Sequence, residues 1–89
     1  MTLPAHADDA RVVVYSRAAC HLCEVAEALV AEICADTGDT WTRIEIDGDP
    51  DLVKRFTEQV PVTFVDGKQH DFWRVDERRL RAALGTSPR

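Results

Sequence analysis

The feature that most constrains this chain is a short apolar run followed at once by a helical apolar stripe. Val12–Tyr15 is β-branched and aromatic throughout, which is typical of a strand buried on both faces. The segment Cys20–Cys34 then places apolar side chains at helical spacing, at Leu22, Val25, Ala26, Leu29, Val30 and Ile33. A strand leading directly into a helix predicts the start of a β-α-β unit.

Turn and capping residues predict the remaining elements. Asp49-Pro50-Asp51 has the composition of a helix start, with an N-cap carboxylate, proline at the first helical position and acid in the first turn. Asp66-Gly67 is the two-residue signal of a type I′ hairpin. In order, the candidate elements are a strand at Trp41–Ile46, a helix from Asp49, strands at Val62–Val65 and Lys68–Trp73, and a helix from Asp76 to Gly85.

The resulting order of elements is β-α-β-α-β-β-α. A helix that joins two parallel strands makes a right-handed crossover, and the hairpin adds two antiparallel strands. Such a chain closes as one mixed sheet covered by helices on both faces. We therefore predict an α/β fold of thioredoxin-like type, with a four-stranded mixed sheet and three helices.

Length and composition exclude several function classes. Eighty-nine residues form one domain, which we expect to span residues 11–89 behind a flexible leader at residues 1–10. The leader lacks the apolar segment of a secretory signal, and no run approaches the ~20 apolar residues of a membrane span. A net charge of −5 argues against nucleic acid or an anionic membrane as partner. Three cysteines without an export signal favour a reducing compartment, so we expect a cytoplasmic protein.

The chemistry is concentrated in Cys20-His21-Leu22-Cys23, at the junction of the first strand and the first helix. Thiol–disulfide exchange needs a thiolate and a second thiol that resolves the mixed disulfide. The N-terminus of a helix stabilises the thiolate, and the i, i+3 spacing makes the two side chains neighbours. Two other interpretations stay open: half of a zinc site, whose further ligands would lie far away in sequence, and a chance pair.

The motifs around this pair resemble those of the glutaredoxin-like proteins. They are the run Tyr15–Cys23, the segment Asp47–Pro50, and Val60-Pro61-Val62 ahead of the hairpin turn. The sequence is most similar to a small bacterial branch with a Cys-His-Leu-Cys motif. The resemblance covers roughly residues 11–84 and implies the glutaredoxin type of the thioredoxin fold.

The resemblance also implies roles for individual residues. Cys20 matches the nucleophilic cysteine of the family and Cys23 its resolving cysteine. Arg17 stands where the family usually has a lysine, three residues before the nucleophile. Pro61 matches a cis-proline that faces the dithiol and leaves the backbone of Val60 free to pair with a peptide or with glutathione.

The sequence departs from the glutathione-binding pattern at one segment. Asp76 matches the acidic residue that opens the last helix of glutaredoxins, but Trp73 and Arg74 occupy the positions of a preceding Gly-Gly pair. Their bulk predicts weak turnover with glutathione, although Arg74 could bind a carboxylate. The candidate substrate-binding residues are Arg17, Val60, Pro61, Arg74 and Asp76.

Three further residues each have two interpretations. His21 either donates to the Cys20 thiolate or faces solvent in the first helical turn. Cys34 lies nearly three turns beyond Cys23, out of disulfide reach, and is either a buried small side chain or a regulatory thiol. The topology places Trp73 near the dithiol, where it either packs or contacts substrate.

The sequence therefore predicts a small thiol–disulfide oxidoreductase that reduces disulfides of proteins or small thiols. We expect no permanently bound cofactor and no metal, with glutathione or another low-molecular-weight thiol as reductant. We also expect a monomer that binds neither nucleic acid nor membrane. The alternative is an iron–sulfur or soft-metal carrier that uses the CxxC, and a redox-inert interaction domain is disfavoured by the intact pair.

Overall fold

The computed structural model describes residues 10–85, so the predicted leader lies outside the described residues except for Ala10. The elements are β1 (Val12–Ser16), α1 (His21–Thr37), β2 (Trp41–Glu45), a 3-10 turn (Ile46–Gly48), α2 (Pro50–Phe56), β3 (Val62–Val65), β4 (Lys68–Phe72) and α3 (Glu77–Gly85). The predicted order β-α-β-α-β-β-α is confirmed.

The four strands form one mixed sheet in the order β2-β1-β3-β4. β1 pairs in parallel with β2, whereas β3 is antiparallel to both β1 and β4. The β3–β4 hairpin turns through Asp66 and Gly67, whose φ angles of 53° and 82° are both positive. Positive φ at both central residues defines the type I′ turn that the sequence predicts.

Alternate residues of β1 pack against different helices. Val12 and Val14 share a buried cluster with side chains of α1 and α3, including Ile33 and Leu80. The opposite face holds Val13, Tyr15, Val62 and Phe64 together with Phe56 of α2. Because the side chains of a strand alternate between its faces, a continuous apolar run such as β1 requires helices on both sides of the sheet. The predicted two-sided covering is confirmed.

Capping residues define the ends of the helices. Asp49 accepts hydrogen bonds from the N–H groups of Asp51 and Leu52, with Pro50 at the start of α2. Asp76 accepts from the N–H of Arg79 at 3.0 Å and so caps α3. α1 continues to Thr37, three residues beyond the predicted end, and terminates at Gly38 in the left-handed conformation.

Arg11 is a buried arginine that holds three segments of the chain together, a role that the sequence does not predict. Its guanidinium donates to the carboxylates of Asp66 at 3.0 Å and Asp39 at 3.1 Å, and to the carbonyl of Leu84 at 3.0 Å. These bonds join the hairpin turn, the α1–β2 loop and the end of α3. The hydrogen bond to Asp66 is the largest cause of the raised pKa of Arg11. No helix within residues 10–85 is long and apolar enough to cross a bilayer.

Candidate redox site

Cys20 and Cys23 lie at the N-terminus of α1 and are joined by a disulfide bond, with their Cα atoms 5.2 Å apart. Cys20 is the N-cap residue, in extended conformation, and its Sγ accepts a hydrogen bond from the N–H of Cys23 at 3.1 Å. The N–H groups of the first turn of a helix lack helical partners, and they stabilise a negative charge placed at the cap. The geometry therefore favours a thiolate on Cys20 when the pair is reduced.

The two sulfurs differ in their accessibility. Cys23 is 1% exposed and belongs to the same buried cluster as Tyr15 and Val60. Cys20 is only partly buried and packs against the rim of that cluster. An incoming sulfur can therefore approach Cys20, whereas Cys23 is shielded by the core.

The loop between β1 and α1 is held by a residue of the 3-10 turn. The N–H of Ala18 donates to Oδ2 of Asp47 at 2.9 Å, and Ala19 has a positive φ of 55° just before Cys20. Arg17 is exposed, and its Nη1 donates to Oγ1 of Thr57 at 3.4 Å. The guanidinium thus lies at the C-terminal end of α2. Asp47 was part of the motif that carried the family resemblance, but its contact with this loop was not predicted.

The peptide bond between Val60 and Pro61 is cis, as the resemblance implies. Pro61 is fully buried, and Val60 packs in the same cluster as Cys23. The expectation that the backbone of Val60 is free needs correction, because its N–H donates to the carbonyl of Phe56 at 3.1 Å. This bond extends the end of α2.

Trp73 turns the chain out of β4 and back across the Pro61 segment. Its φ of 66° ends the strand at Phe72, one residue earlier than predicted. The N–H of Trp73 donates to the carbonyl of Pro61 at 2.8 Å, and its indole Nε1 donates to the carbonyl of Glu58 at 2.9 Å. The side chain remains about half exposed.

An open groove of about 410 Å³ runs between α1 and the segment Trp73–Val75. The α1 side presents Leu22, Val25 and Leu29, and the opposite wall is formed by Trp73, Arg74 and Val75. We call this feature the α1–Trp73 groove. Leu22, at one end of the groove lining, stands between the two cysteines in the sequence, and neither cysteine is among the described residues that line the groove. Trp73 and Arg74 lie across the groove from Leu22, and their contact with the dithiol stays a prediction.

Asp76 and His21 differ in their relation to the groove, since His21 lines it and Asp76 does not. Asp76 is not among the residues that line it, and its carboxylate caps α3 through the N–H of Arg79. His21 is exposed at the mouth of the groove, with its Nδ1 4.0 Å from a carboxylate oxygen of Glu24. It forms no hydrogen bond with Cys20 of the disulfide within the described residues, and its donation to the Cys20 thiolate of the reduced pair stays a prediction.

Cys34 is buried in the cluster between the sheet, α1 and α3. Burial, assisted by the charge of Asp39, raises the pKa of its thiol to about 11. The thiol is therefore neutral and shielded, which confirms the interpretation as a small buried side chain. Within residues 10–85, no three His, Cys, Asp or Glu side chains are grouped so that they could hold a metal ion.

Comparison with known proteins places this geometry in a family. Residues 11–85 match the family model described as Glutaredoxin-like domain (DUF836). An uncharacterized protein of Mycobacterium tuberculosis is 39% identical over 83 residues, which cover 86% of this chain and 84% of that protein.

Solved structures show the same likeness. Protein Ne2328 from Nitrosomonas europaea aligns with a TM-score of 0.74 and 31% identity, over 85% of this chain and 92% of that one. The holo form of glutaredoxin C1 from Populus tremula x tremuloides aligns with a TM-score of 0.55 and 25% identity, over 88% and 86% of the two chains. The fold and the CxxC pair at disulfide distance support a thiol-redox role. The chain belongs to the glutaredoxin-like family.

Proposed function

We propose that this protein is a small thiol–disulfide oxidoreductase that works by a dithiol mechanism. The observation that carries the proposal is the unequal accessibility of two sulfurs that lie within bonding distance. The partly exposed Cys20 is suited to attack an external disulfide, and the buried Cys23 is suited to attack only Cys20. The cap position of Cys20 supports its role as nucleophile.

The proposed cycle transfers two electrons from the dithiol to the substrate. The Cys20 thiolate attacks one sulfur of a substrate disulfide, forming a mixed disulfide and releasing the other sulfur as a thiolate that takes a proton from water. Cys23 loses its proton to solvent and attacks Sγ of Cys20. The second substrate thiol leaves, and the Cys20–Cys23 disulfide forms. Two equivalents of an external thiol then restore the dithiol and are themselves oxidised to a disulfide.

The remaining candidate residues are proposed as substrate contacts. The exposed guanidiniums of Arg17 and Arg74 offer binding sites for carboxylates. The backbone carbonyl of Val60, next to Pro61 and in a residue that packs in the same cluster as Cys23, is proposed as an acceptor for a substrate N–H. Asp76 is the weakest candidate, because its carboxylate already caps α3.

We propose disulfides of proteins or small thiols as substrates and a low-molecular-weight thiol as reductant. Glutathione is expected to serve poorly, because Trp73 and Arg74 fill one wall of the groove. Both sulfurs and the whole groove come from one chain, which supports action as a monomer. We propose the cytoplasm as the compartment, because the cysteine usage of the sequence does not indicate a structural disulfide framework.

Trapping with single-cysteine variants tests the roles. Reduced Cys23→Ser, incubated with a disulfide substrate, should accumulate a mixed disulfide on Cys20 that intact-mass spectrometry detects. Cys20→Ser should be inactive and should trap nothing, because Cys23 is shielded. Cys34→Ala is the matched control and should turn over without accumulating an adduct. Trapping on Cys23 in the Cys20→Ser variant, with none on Cys20 in the other, would reverse the assignment.

A further inference from the structure

The exposed large apolar side chains of this protein are gathered in one place. Within residues 10–85 they are Leu22, Val25, Phe72 and Trp73, each between 42% and 53% exposed. Three of them line the α1–Trp73 groove, and the ring of Phe72 lies 5.1 Å from that of Trp73. Contiguous exposed apolar surface marks interaction sites in soluble proteins. Leu22 of this surface belongs to the helical turn that Cys20 caps, so a molecule bound covalently to Cys20 is the candidate occupant of the groove.

The length of the groove fits a short extended segment. Leu22, Val25, Ala26 and Leu29 follow the i, i+3, i+4, i+7 pattern, so they form one stripe along α1. Seven residues of helix span roughly 10 Å, which is about the length of three residues of extended chain. Because the stripe begins between the two cysteines, a segment attached through its own sulfur to Cys20 would extend along it.

The charge of the groove selects an acidic occupant. Arg74 is on its wall, and no aspartate or glutamate of residues 10–85 lines it. Arg74 is exposed, and its guanidinium forms no ion pair with a carboxylate of the described residues. An unpaired guanidinium beside an apolar surface complements a carboxylate next to an apolar side chain.

We propose that the α1–Trp73 groove binds protein segments in which the disulfide cysteine is flanked by an apolar residue and then an acidic one. The inference rests on the proposed function and names its substrate class. Glutathione supplies carboxylates but no large apolar side chain to cover Leu22 and Val25. A protein segment supplies both.

A set of matched peptides tests this preference. Each five-residue peptide has one central cysteine, linked as a disulfide to thionitrobenzoate, and carries the same two flanking residues on both sides. The residue next to the cysteine is leucine or serine, and the outer residue is aspartate or lysine. Because each peptide is symmetric about its cysteine, the direction in which it binds does not affect the comparison. The pre-reduced protein releases the chromophore in a single turnover. Each rate is divided by that of the same peptide with free dithiothreitol, which removes the intrinsic effect of peptide charge.

The leucine–aspartate peptide should react about two- to fivefold faster than the leucine–lysine peptide, a range set by the weakness of an exposed ion pair. Arg74→Glu should invert this acid-to-base ratio. Arg78→Glu makes the same change in charge on α3 outside the groove and should leave the ratio as in the wild type. Each ratio compares the rates of two peptides with the same variant, so a general change in the reactivity of Cys20 does not alter it.

The apolar part of the preference has its own pair of variants. Val25→Gln should reduce the advantage of leucine over serine peptides at least threefold. Ala28→Gln, at an exposed position of α1 that does not line the groove, should preserve it. These ratios again compare peptides within one variant, so a uniform loss of stability does not imitate the result.

Equal wild-type rates for all four peptides would overturn the inference while leaving the proposed function in place. The mixed disulfide of glutathione and thionitrobenzoate serves as the small-molecule comparison. Faster reaction with it than with the leucine–aspartate peptide would overturn the assignment to protein segments. Failure of the reduced protein to release thionitrobenzoate from any of these compounds would overturn the proposed function itself.

Discussion

Replacing Arg11 by methionine should destabilise the protein far more than an apparently similar change at Arg81. Each arginine bridges two carboxylates. The side chain of Arg11 is only 8% exposed and its partners Asp39 and Asp66 are 17% and 24% exposed. Arg81 is 36% exposed and its partners are more than half exposed. The Arg11→Met variant leaves two largely buried carboxylates without their shared cation and the carbonyl of Leu84 without its donor.

Breaking a buried ion pair by removing one partner costs about 3–5 kcal/mol. The carboxylates of Asp39 and Asp66 keep some access to water and methionine fills the space of the arginine stem, so we expect a loss of about 2–3 kcal/mol. This corresponds to a decrease in Tm of roughly 10–20 °C for a domain of this size. Arg81→Met should lose less than about 1 kcal/mol, because exposed pairs contribute little.

Urea titration followed by circular dichroism measures both free energies of unfolding on oxidised protein. A double variant with Asp39→Asn should lose less than the sum of the two single losses, since the two groups share one interaction. If Arg11→Met were no less stable than Arg81→Met, the conclusion that the buried ion pairs of Arg11 stabilise the fold would be refuted.

Three other predictions concern the reactivity of Cys34, the effect of His70 on stability, and the reduction of a glutathionylated peptide. The thiol of Cys34 should resist alkylation by iodoacetamide in the folded protein, because burial raises its pKa to about 11. The Cys34→Ala variant should keep full turnover. Rapid alkylation of Cys34 in the folded protein would contradict its burial. Burial and the charge of Arg79 lower the pKa of His70, whose buried Nε2 has no hydrogen-bond partner within residues 10–85. As the pH falls through about 6.5, the His70 imidazole is protonated in the unfolded chain before it is protonated in the folded protein. The free energy of unfolding should therefore decrease below that pH. The His70→Gln variant should show a smaller decrease, measured as the midpoint of urea unfolding. An unchanged slope would show that other groups dominate. The wild-type protein should reduce a glutathionylated peptide slowly, and a Trp73→Gly/Arg74→Gly variant should reduce it faster. Rapid reduction by the wild type, at the same rate as by the variant, would show that the groove wall does not limit the binding of glutathione.

The sequence predicts the elements of this fold because their signals are local. Helical spacing, the Asp49 cap and the Asp66-Gly67 turn each act within a few residues of the chain. The position of the redox pair follows from the same local order, because Cys20 stands where a strand gives way to a helix. These features needed no knowledge of distant contacts.

The missed contacts are those between segments far apart in the chain. Arg11 meets Asp39 and Asp66 only after the sheet and α3 have assembled, and no local pattern marks it as buried. The bond between Asp47 and Ala18 likewise joins segments separated by 29 residues. The family resemblance implied a free backbone at Val60, and no sequence signal marks the turn that continues α2 and engages its N–H.

Trp73 keeps a backbone conformation that suits glycine while carrying the largest side chain. Its φ of 66° lies in the left-handed region, which costs an ordinary residue about 1–2 kcal/mol. Such a conformation persists only where surrounding contacts fix it. Here those contacts are the backbone bond to Pro61, the indole bond to Glu58 and the ring contact with Phe72.

The left-handed backbone of Trp73 predicts an unusual order of stability between two variants. Trp73→Ala loses the indole contacts and keeps the unfavourable φ, whereas Trp73→Gly loses the same contacts and relieves it. The glycine variant should therefore be more stable than the alanine variant by about 1 kcal/mol, the reverse of the usual effect of glycine. Urea midpoints of the two oxidised variants measure the difference. An alanine variant that is the more stable would show that residue 73 does not hold this conformation in solution, and the groove wall would have to be described differently.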